Sequence, residues 1–241
     1  MTIGGNLAVF DFDWSLIEED SDQWTIRQLS QEQWDQCVSL KDMQFTDRMD
    51  MAIRQLQDRG TTKAEFERVL EKIPFTPAMI STLQMLRAHQ TRVVIVSDAN
   101  TFYIDTILQA YDVRDLVDDI ITNPVYTDEQ GRWRIQRRIP ATAPQHSCAN
   151  HCAVNICKGQ ELDRYIDLHG PFQKIMYVGD GKNDFCPATR LRPSDRLFAR
   201  SGKALAEKLQ NEPADASKVV ATVTYWETSE KVRQAVETEN L

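Results

Sequence analysis

Asp11 and Asp13 stand one residue apart at the end of a short apolar run, Leu7-Ala8-Val9-Phe10. Such a run reads as a strand buried on both faces, and parallel α/β sheets bind ligands beyond the carboxyl ends of these strands. A lone Asp-x-Asp is also what an ordinary Asp-rich turn looks like. The pair gains meaning from three other stretches. Val93-Val94-Ile95-Val96 runs into Ser97-Asp98-Ala99-Asn100, and Ile175-Met176-Tyr177-Val178 runs into Gly179-Asp180-Gly181-Lys182-Asn183-Asp184. Lys158 stands near the head of the helix that leads into the second of these.

The chemistry this set suits is phosphoryl transfer, where catalysis is mostly positioning and charge compensation. One carboxylate can attack phosphorus and form an aspartyl-phosphate, dividing a difficult hydrolysis into two displacements. A second can protonate the leaving alkoxide and later take a proton from water. Ser97 and Lys158 can bind the phosphate oxygens and neutralise them as charge shifts. The carboxylates Asp11, Asp13, Asp180 and Asp184 would together repel a phosphate dianion, so the set requires a divalent cation. Hard oxygen ligands that leave room for water suit Mg²⁺.

The elements that must position these groups follow the pattern of an α/β fold with a doubly wound, mostly parallel sheet. Residues 120–121, 197–199 and 219–221 read as further strands. Helices are expected near 77–89, 101–111, 155–166, 203–209 and 230–241. Thr76-Pro77 starts the first of them, with an N-cap and proline at the first helical position. Between Asp13 and Thr76 no strand pattern occurs. Helical spacing appears around Trp24 to Val38, over 44–59, and after a Thr62/Glu65 capping box, predicting a three-helix insertion straight after the first strand. Residues 122–140 read as a β-hairpin turning at Asp128-Glu129-Gln130-Gly131. Arg132, Arg134, Arg137 and Arg138 give it a basic face, read here as a solvated ribbon. The expected division is therefore a core of residues 1–13 and 74–241, a helical cap of residues 14–73, and the hairpin as a flap within the core.

Asp11-Phe12-Asp13, Ser97, Lys158 and Gly179-Asp180-Gly181-Lys182-Asn183-Asp184 together resemble the four motifs of the haloacid dehalogenase superfamily. The resemblance implies a Rossmann-like core with the nucleophile at Asp11 and a general acid/base at Asp13. It implies Mg²⁺ held by Asp11, the backbone carbonyl of Asp13 and Asp180, with Asp184 supporting the metal shell and the phosphate on Ser97 and Lys158. A closer likeness covers nearly the whole chain. The stretches 11–22, Ser97-Asp98-Ala99-Asn100, Thr122-Asn123-Pro124, Cys157-Lys158-Gly159 and 179–187 are similar to the phosphoethanolamine/phosphocholine phosphatase family. That family includes pyridoxal phosphate phosphatase relatives and plant enzymes acting on thiamine phosphate or pyrophosphate. The likeness implies a Mg²⁺-dependent phosphatase of small soluble phosphomonoesters, amine-bearing ones among them, with a C1-type cap that closes over the substrate.

Asp22, Asp98 and Asn100 match positions that face the substrate beyond its phosphate. Two carboxylates there would favour an ammonium group electrostatically. The same aspartates precede helices and can serve as caps instead. Trp14 stands where many relatives carry a smaller or polar residue, and either narrows the leaving-group side or packs under the cap. An inorganic pyrophosphatase on the same scaffold is the alternative enzyme. A non-catalytic Mg²⁺- or phosphate-binding regulator is disfavoured because both Asp11 and Asp13 are present.

The formal net charge is −8 and no long basic run occurs, which argues against nucleic acid as a partner. No run approaches the roughly 20 apolar residues of a membrane helix. The N-terminus lacks a signal-peptide pattern, so a cytoplasmic protein is expected. Five scattered cysteines in such a chain do not suggest a disulfide framework. His146, Cys148, His151, Cys152 and Cys157 nevertheless fall within twelve positions. They read either as a zinc site, though without the two Cys-x-x-Cys pairs of a ribbon, or as reduced thiols packed as small hydrophobes.

Overall fold

The computed structural model of the chain describes residues 5–150 and 152–239. The strands are β1 (Leu7–Phe10), β2 (Arg92–Asn100), β3 (Asp119–Asn123), a hairpin of β4 (Val125–Thr127) and β5 (Trp133–Ile135), then β6 (Ile175–Gly179), β7 (Arg196–Arg200) and β8 (Thr222–Trp226). All but the hairpin form one sheet in the order β3-β2-β1-β6-β7-β8, with every neighbouring pair parallel. The apolar runs explain this arrangement. β1 and β6 are buried at every position because both faces of the sheet are covered. Successive side chains alternate between two cores: Ala8, Phe10, Val93 and Ile95 join one, Leu7, Val9, Val94 and Val96 the other.

From β1 the chain goes first to β2 and β3 on one side, then crosses to β6 on the other. The carboxyl ends of β1, β2 and β6 therefore border the point where strand order reverses, the usual crevice for a ligand. At the far edge the structure corrects one expected strand. Residues 219–221 do not form it; the strand is Thr222–Trp226. The Val219 N–H still bonds back to the Ala216 carbonyl, so the backbone there is leaving a turn rather than extending.

The helices of the insertion are α1 (Ser21–Leu29), α2 (Gln31–Ser39), α3 (Phe45–Asp58) and α4 (Lys63–Leu70), followed by α5 (Pro77–Ala88) and α6 (Thr101–Ala110). After the hairpin come α7 (Lys158–His169), α8 (Phe185–Ala188), α9 (Ala204–Asn211), α10 (Pro213–Ala216) and α11 (Ser229–Glu239). The insertion thus holds four helices where the spacing predicted three. Ser30 makes the difference. Its extended backbone (φ −163°) ends α1, and its side chain accepts the Gln33 N–H to start α2. No helix among the described residues is long and apolar enough to cross a membrane.

The hairpin arginines are not a solvated ribbon. Arg132 pairs with Asp58 at 2.9 Å, Arg134 donates to Asp50 at 2.9 Å, and Arg137 pairs with Asp47, all on α3. Arg138 reaches Glu161 on α7 at 3.0 Å. Trp133 of the same hairpin packs edge-on against Phe66 of α4 and lies 4.7 Å from the Phe102 ring of α6. Partly exposed pairs contribute no more than about 1 kcal/mol each, so their consequence is positional: the hairpin ties the inserted helices to the sheet.

Candidate active site

Asp11 follows the last residue of β1 and is buried; its Oδ1 accepts the Phe12 N–H at 2.7 Å. Beyond it the chain turns sharply through Trp14, whose φ of 56° lies in the left-handed region that β-carbon sterics disfavour. The surroundings hold that conformation. The Trp14 N–H donates to the Glu19 carbonyl, its own carbonyl accepts from Arg200 at 2.7 Å, and the Lys203 ammonium sits 3.4 Å above the indole. Trp14 therefore packs on two cations, Arg200 at the end of β7 and Lys203 just beyond it. The turn also brings the Asp13 carboxylate back onto α1, where it accepts the Ser21 N–H at 2.9 Å.

Lys158, the first residue of α7, is wholly buried with its ammonium 2.7 Å from Asp11 and 2.9 Å from Asp184. Asp184 is fully engaged. Its Oδ1 also accepts the Tyr177 hydroxyl at 2.7 Å, and its Oδ2 accepts the N–H groups of Asp180 and Gly181 at 3.0 and 2.8 Å. Gly179 allows this close approach, since a β-carbon there would fall 2.6 Å from the Asp184 carboxyl carbon. Ser97, at the end of the straight part of β2, is buried, and its Oγ accepts the Ala99 N–H at 3.1 Å.

The electrostatics are those of crowded acids with a single buried cation among them. Burial first, then Asp184, push the Asp11 carboxyl well above the usual range, with Lys158 opposing. Burial and then Asp20 do the same to Asp13. Asp180 is pushed up to about 7 by burial and by Asp184. Burial pulls the Lys158 ammonium down, but Asp11 and Asp184 more than offset it and hold the lysine charged. Oxygens of Asp11, Asp180 and Asp184 lie within 4.8 Å of one another. A hard divalent cation fits that set, because oxygen donors of one sign are gathered with too little opposing charge.

Asp22, Asp98 and Asn100 come to the same edge. The N-cap of α1 is Asp20, which accepts the Gln23 N–H at 2.8 Å, so Asp22 is not needed as a cap. Asp22 is buried, and its Oδ1 has no hydrogen-bond partner. Burial, then Asp20, Asp13 and Asp98, raise its pKa well above the usual carboxylate range. Asn100 caps α6 through its Oδ1, while its buried Nδ2 is left unpartnered. Asn123 straps this turn by donating to the carbonyls of Asp98 and Ala99 at 2.6 and 2.8 Å. Lys182 is exposed and belongs to the solvated surface. Sequence reasoning missed Tyr177, which reads as one more apolar residue in a buried strand; its hydroxyl on Asp184 has no signature in spacing.

The strand order and the carboxylate edge agree with the fold that the resemblance to the haloacid dehalogenase superfamily implied. The chain belongs to the family described as "Putative Phosphatase", whose model matches residues 6–239. It is similar to "Inorganic pyrophosphatase 2" of Arabidopsis thaliana, at 33% identity over 95% of this chain and 81% of that one. It is equally similar to "Pyridoxal phosphate phosphatase PHOSPHO2" of Mus musculus, at 33% identity over 89% of this chain and 92% of that one. "Thiamine phosphate phosphatase-like protein" of Arabidopsis thaliana is 31% identical over 93% and 91%. Among solved structures, a substrate-bound phosphoserine phosphatase shares the fold with a TM-score of 0.61 at 14% identity, covering 98% of both chains.

Proposed function

We propose that the protein is a Mg²⁺-dependent phosphatase of small, cationic phosphomonoesters that works through an aspartyl-phosphate on Asp11. The observation that carries this reading is the Asp11 carboxylate at the strand end, with Lys158 and the Phe12 N–H both on Oδ1. That leaves Oδ2 for attack on phosphorus, and the same lysine then faces the transferred phosphoryl group. Asp13, which burial and Asp20 push toward its protonated form, gives its proton to the leaving alkoxide and afterwards takes one from the water that attacks the phosphorus of the aspartyl-phosphate, releasing phosphate and the Asp11 carboxylate. Ser97, whose Oγ already accepts from the backbone, has its hydroxyl hydrogen available for a phosphate oxygen. Asp11, the Asp13 carbonyl and Asp180 would hold Mg²⁺, which supplies positive charge against the phosphate, while Asp184 positions the loop and Lys158. Residues 14–73 then serve as the cap, carrying Asp22 over the site from α1.

Beyond the phosphate the site is acidic, and Asp22 and Asp98 suit an ammonium or another cationic nitrogen. A second phosphate would meet the same two carboxylates, which disfavours pyrophosphate. The test is hydrolysis of phosphoethanolamine, phosphocholine, pyridoxal phosphate, thiamine phosphate and pyrophosphate, with Mg²⁺ and with EDTA. A cationic monoester should exceed pyrophosphate in kcat/KM by about tenfold or more, some 1.4 kcal/mol, and EDTA should stop turnover. Pyrophosphate as the best substrate would refute the substrate assignment; full activity in EDTA would refute the metal.

Asp22 makes a second prediction, in which recognition costs stability. A carboxyl whose folded pKa is raised imposes no penalty below its unfolded value of about 3.9, and the penalty grows as pH rises toward the folded value. Asp22→Asn should therefore leave Tm unchanged at pH 4 and raise it by about 2–4 °C at pH 8, the shift expected from ~1 kcal/mol in a chain of this size. Together with Asp98→Asn it should raise KM about tenfold for cationic esters and little for neutral ones. A Tm that falls at pH 8, or equal KM effects on both esters, would remove the uncompensated-carboxylate role.

A further inference from the structure

Cys148, Cys152, Cys157 and Cys186 bring their sulfurs together, all within 4.8 Å of one another. Cys148 and Cys186 are 3.4 Å apart, Cys152 and Cys148 3.6 Å, Cys157 and Cys152 3.6 Å, and Cys157 and Cys186 3.7 Å. None is in a disulfide, and a disulfide would bring two sulfurs to about 2.05 Å. Four sulfurs bound tetrahedrally at about 2.3 Å from one zinc ion lie ~3.8 Å from each other. We propose that these four cysteines bind a structural zinc ion as a closed tetrathiolate, separate from the carboxylate site.

The ligand chemistry separates the two centres. Soft thiolates select zinc, whereas the carboxylate edge suits a hard cation. Four protein ligands leave no open position, so the centre is structural rather than catalytic. Binding releases the thiol protons to solvent and leaves a net double negative charge on the centre. The Arg190 guanidinium, beside Cys186, supplies countercharge. His146 stands outside the sulfur cluster, with its Nε2 2.8 Å from the Ala153 carbonyl and its Nδ1 accepting the Cys148 N–H at 3.4 Å. His151 lies outside the described residues. The crowded segment seen in the sequence thus contributes three ligands, and the fourth comes from beyond β6.

Placement gives the centre its consequence. Cys157 immediately precedes Lys158, and Cys186 follows Asp184 by two residues. The zinc would staple the start of α7 to the turn after β6, which meet in the 2.9 Å Lys158–Asp184 pair. The start of α7 already abuts the segment following that turn: a β-carbon on Gly159 would fall 2.5 Å from the Cys186 sulfur. Cys37 lies elsewhere, on α2, with its sulfur toward the Arg48 carbonyl.

The test is metal analysis of the full chain, purified without a polyhistidine tag and dialysed against EDTA. One zinc per chain is expected, with loss of zinc in Cys148→Ser and in Cys186→Ser and retention in Cys37→Ser. Should the serine variants fail to fold, mercurial titration of the unaltered chain decides the matter. Zinc should then be released, read with a chromogenic chelator, in step with four thiols. A zinc-free chain whose thiols react freely, iron in place of zinc, or zinc retained by folded Cys186→Ser would overturn the proposal.

Discussion

Asp11→Asn will cut kcat by about 10⁴-fold or more, the scale seen when a nucleophile is removed from an otherwise intact site. The substitution keeps shape and volume but replaces the attacking oxygen by an amide that cannot form an acyl-phosphate. Binding should survive, because Ser97, Lys158 and the cap residues remain. Stability should survive as well. Asp11 carries a charge that burial and Asp184 oppose, and Lys158 keeps its pair with Asp184 when the charge is gone. In the absence of divalent metal, Tm at neutral pH should therefore be unchanged or higher. Two measurements check the assignment: steady release of phosphate, and acid-stable retention of label on the chain after quenching with a phosphate-labelled ester. Steady hydrolysis by the folded variant, with contaminating phosphatase removed, would mean that another group attacks phosphorus.

The residues of this site were legible because continuous apolar runs announce strands buried on both faces. Leu7–Phe10, Val93 to Val96 and Ile175 to Val178 each end in the polar group that the sheet brings to its edge. Features made by pairing across the chain left no such mark. Arg132, Arg134 and Arg137 look like a charged ribbon until α3 is seen to carry Asp58, Asp50 and Asp47 opposite them. Cys186 looks solitary, since its partners lie 29 to 38 residues earlier. Ser30 is a different failure. Its Ser-x-x-Gln signal is present, but the rough helical spacing from Trp24 to Val38 runs on across it. Asp22 resists local reading for a third reason. A carboxylate just inside a helix start looks like a cap until Asp20 is found in that place, and only then does the unpartnered Asp22 oxygen become informative.

Lys158→Met is the substitution expected to damage both stability and chemistry. The methionine fills most of the buried volume but removes the positive charge that both Asp11 and Asp184 contact. Breaking a buried ion pair by deleting one partner costs about 3–5 kcal/mol at neutral pH, because the remaining charges stay buried. In the unaltered chain the contacts raise the lysine pKa, so its stabilisation is fully present below the unfolded value of about 10.4 and is lost only as pH rises through the higher folded value. Without the ammonium, which opposes the effect of burial, Asp11 holds its proton still more tightly in the folded state than in the unfolded one. The stability deficit should therefore widen as pH rises from about 4 toward neutrality, the interval above the unfolded carboxylate pKa. Denaturant unfolding of the two chains at pH 4.5 and 7.5 measures this directly. At the higher pH a divalent cation should recover part of the lost stability, since it neutralises the same carboxylates, yet activity should remain about 10³-fold down for want of a charge on the phosphoryl oxygens. A deficit that is constant with pH would mean that Lys158 acts by packing alone. Restoration of both stability and turnover by metal would mean that the ammonium serves the fold and not the phosphoryl group.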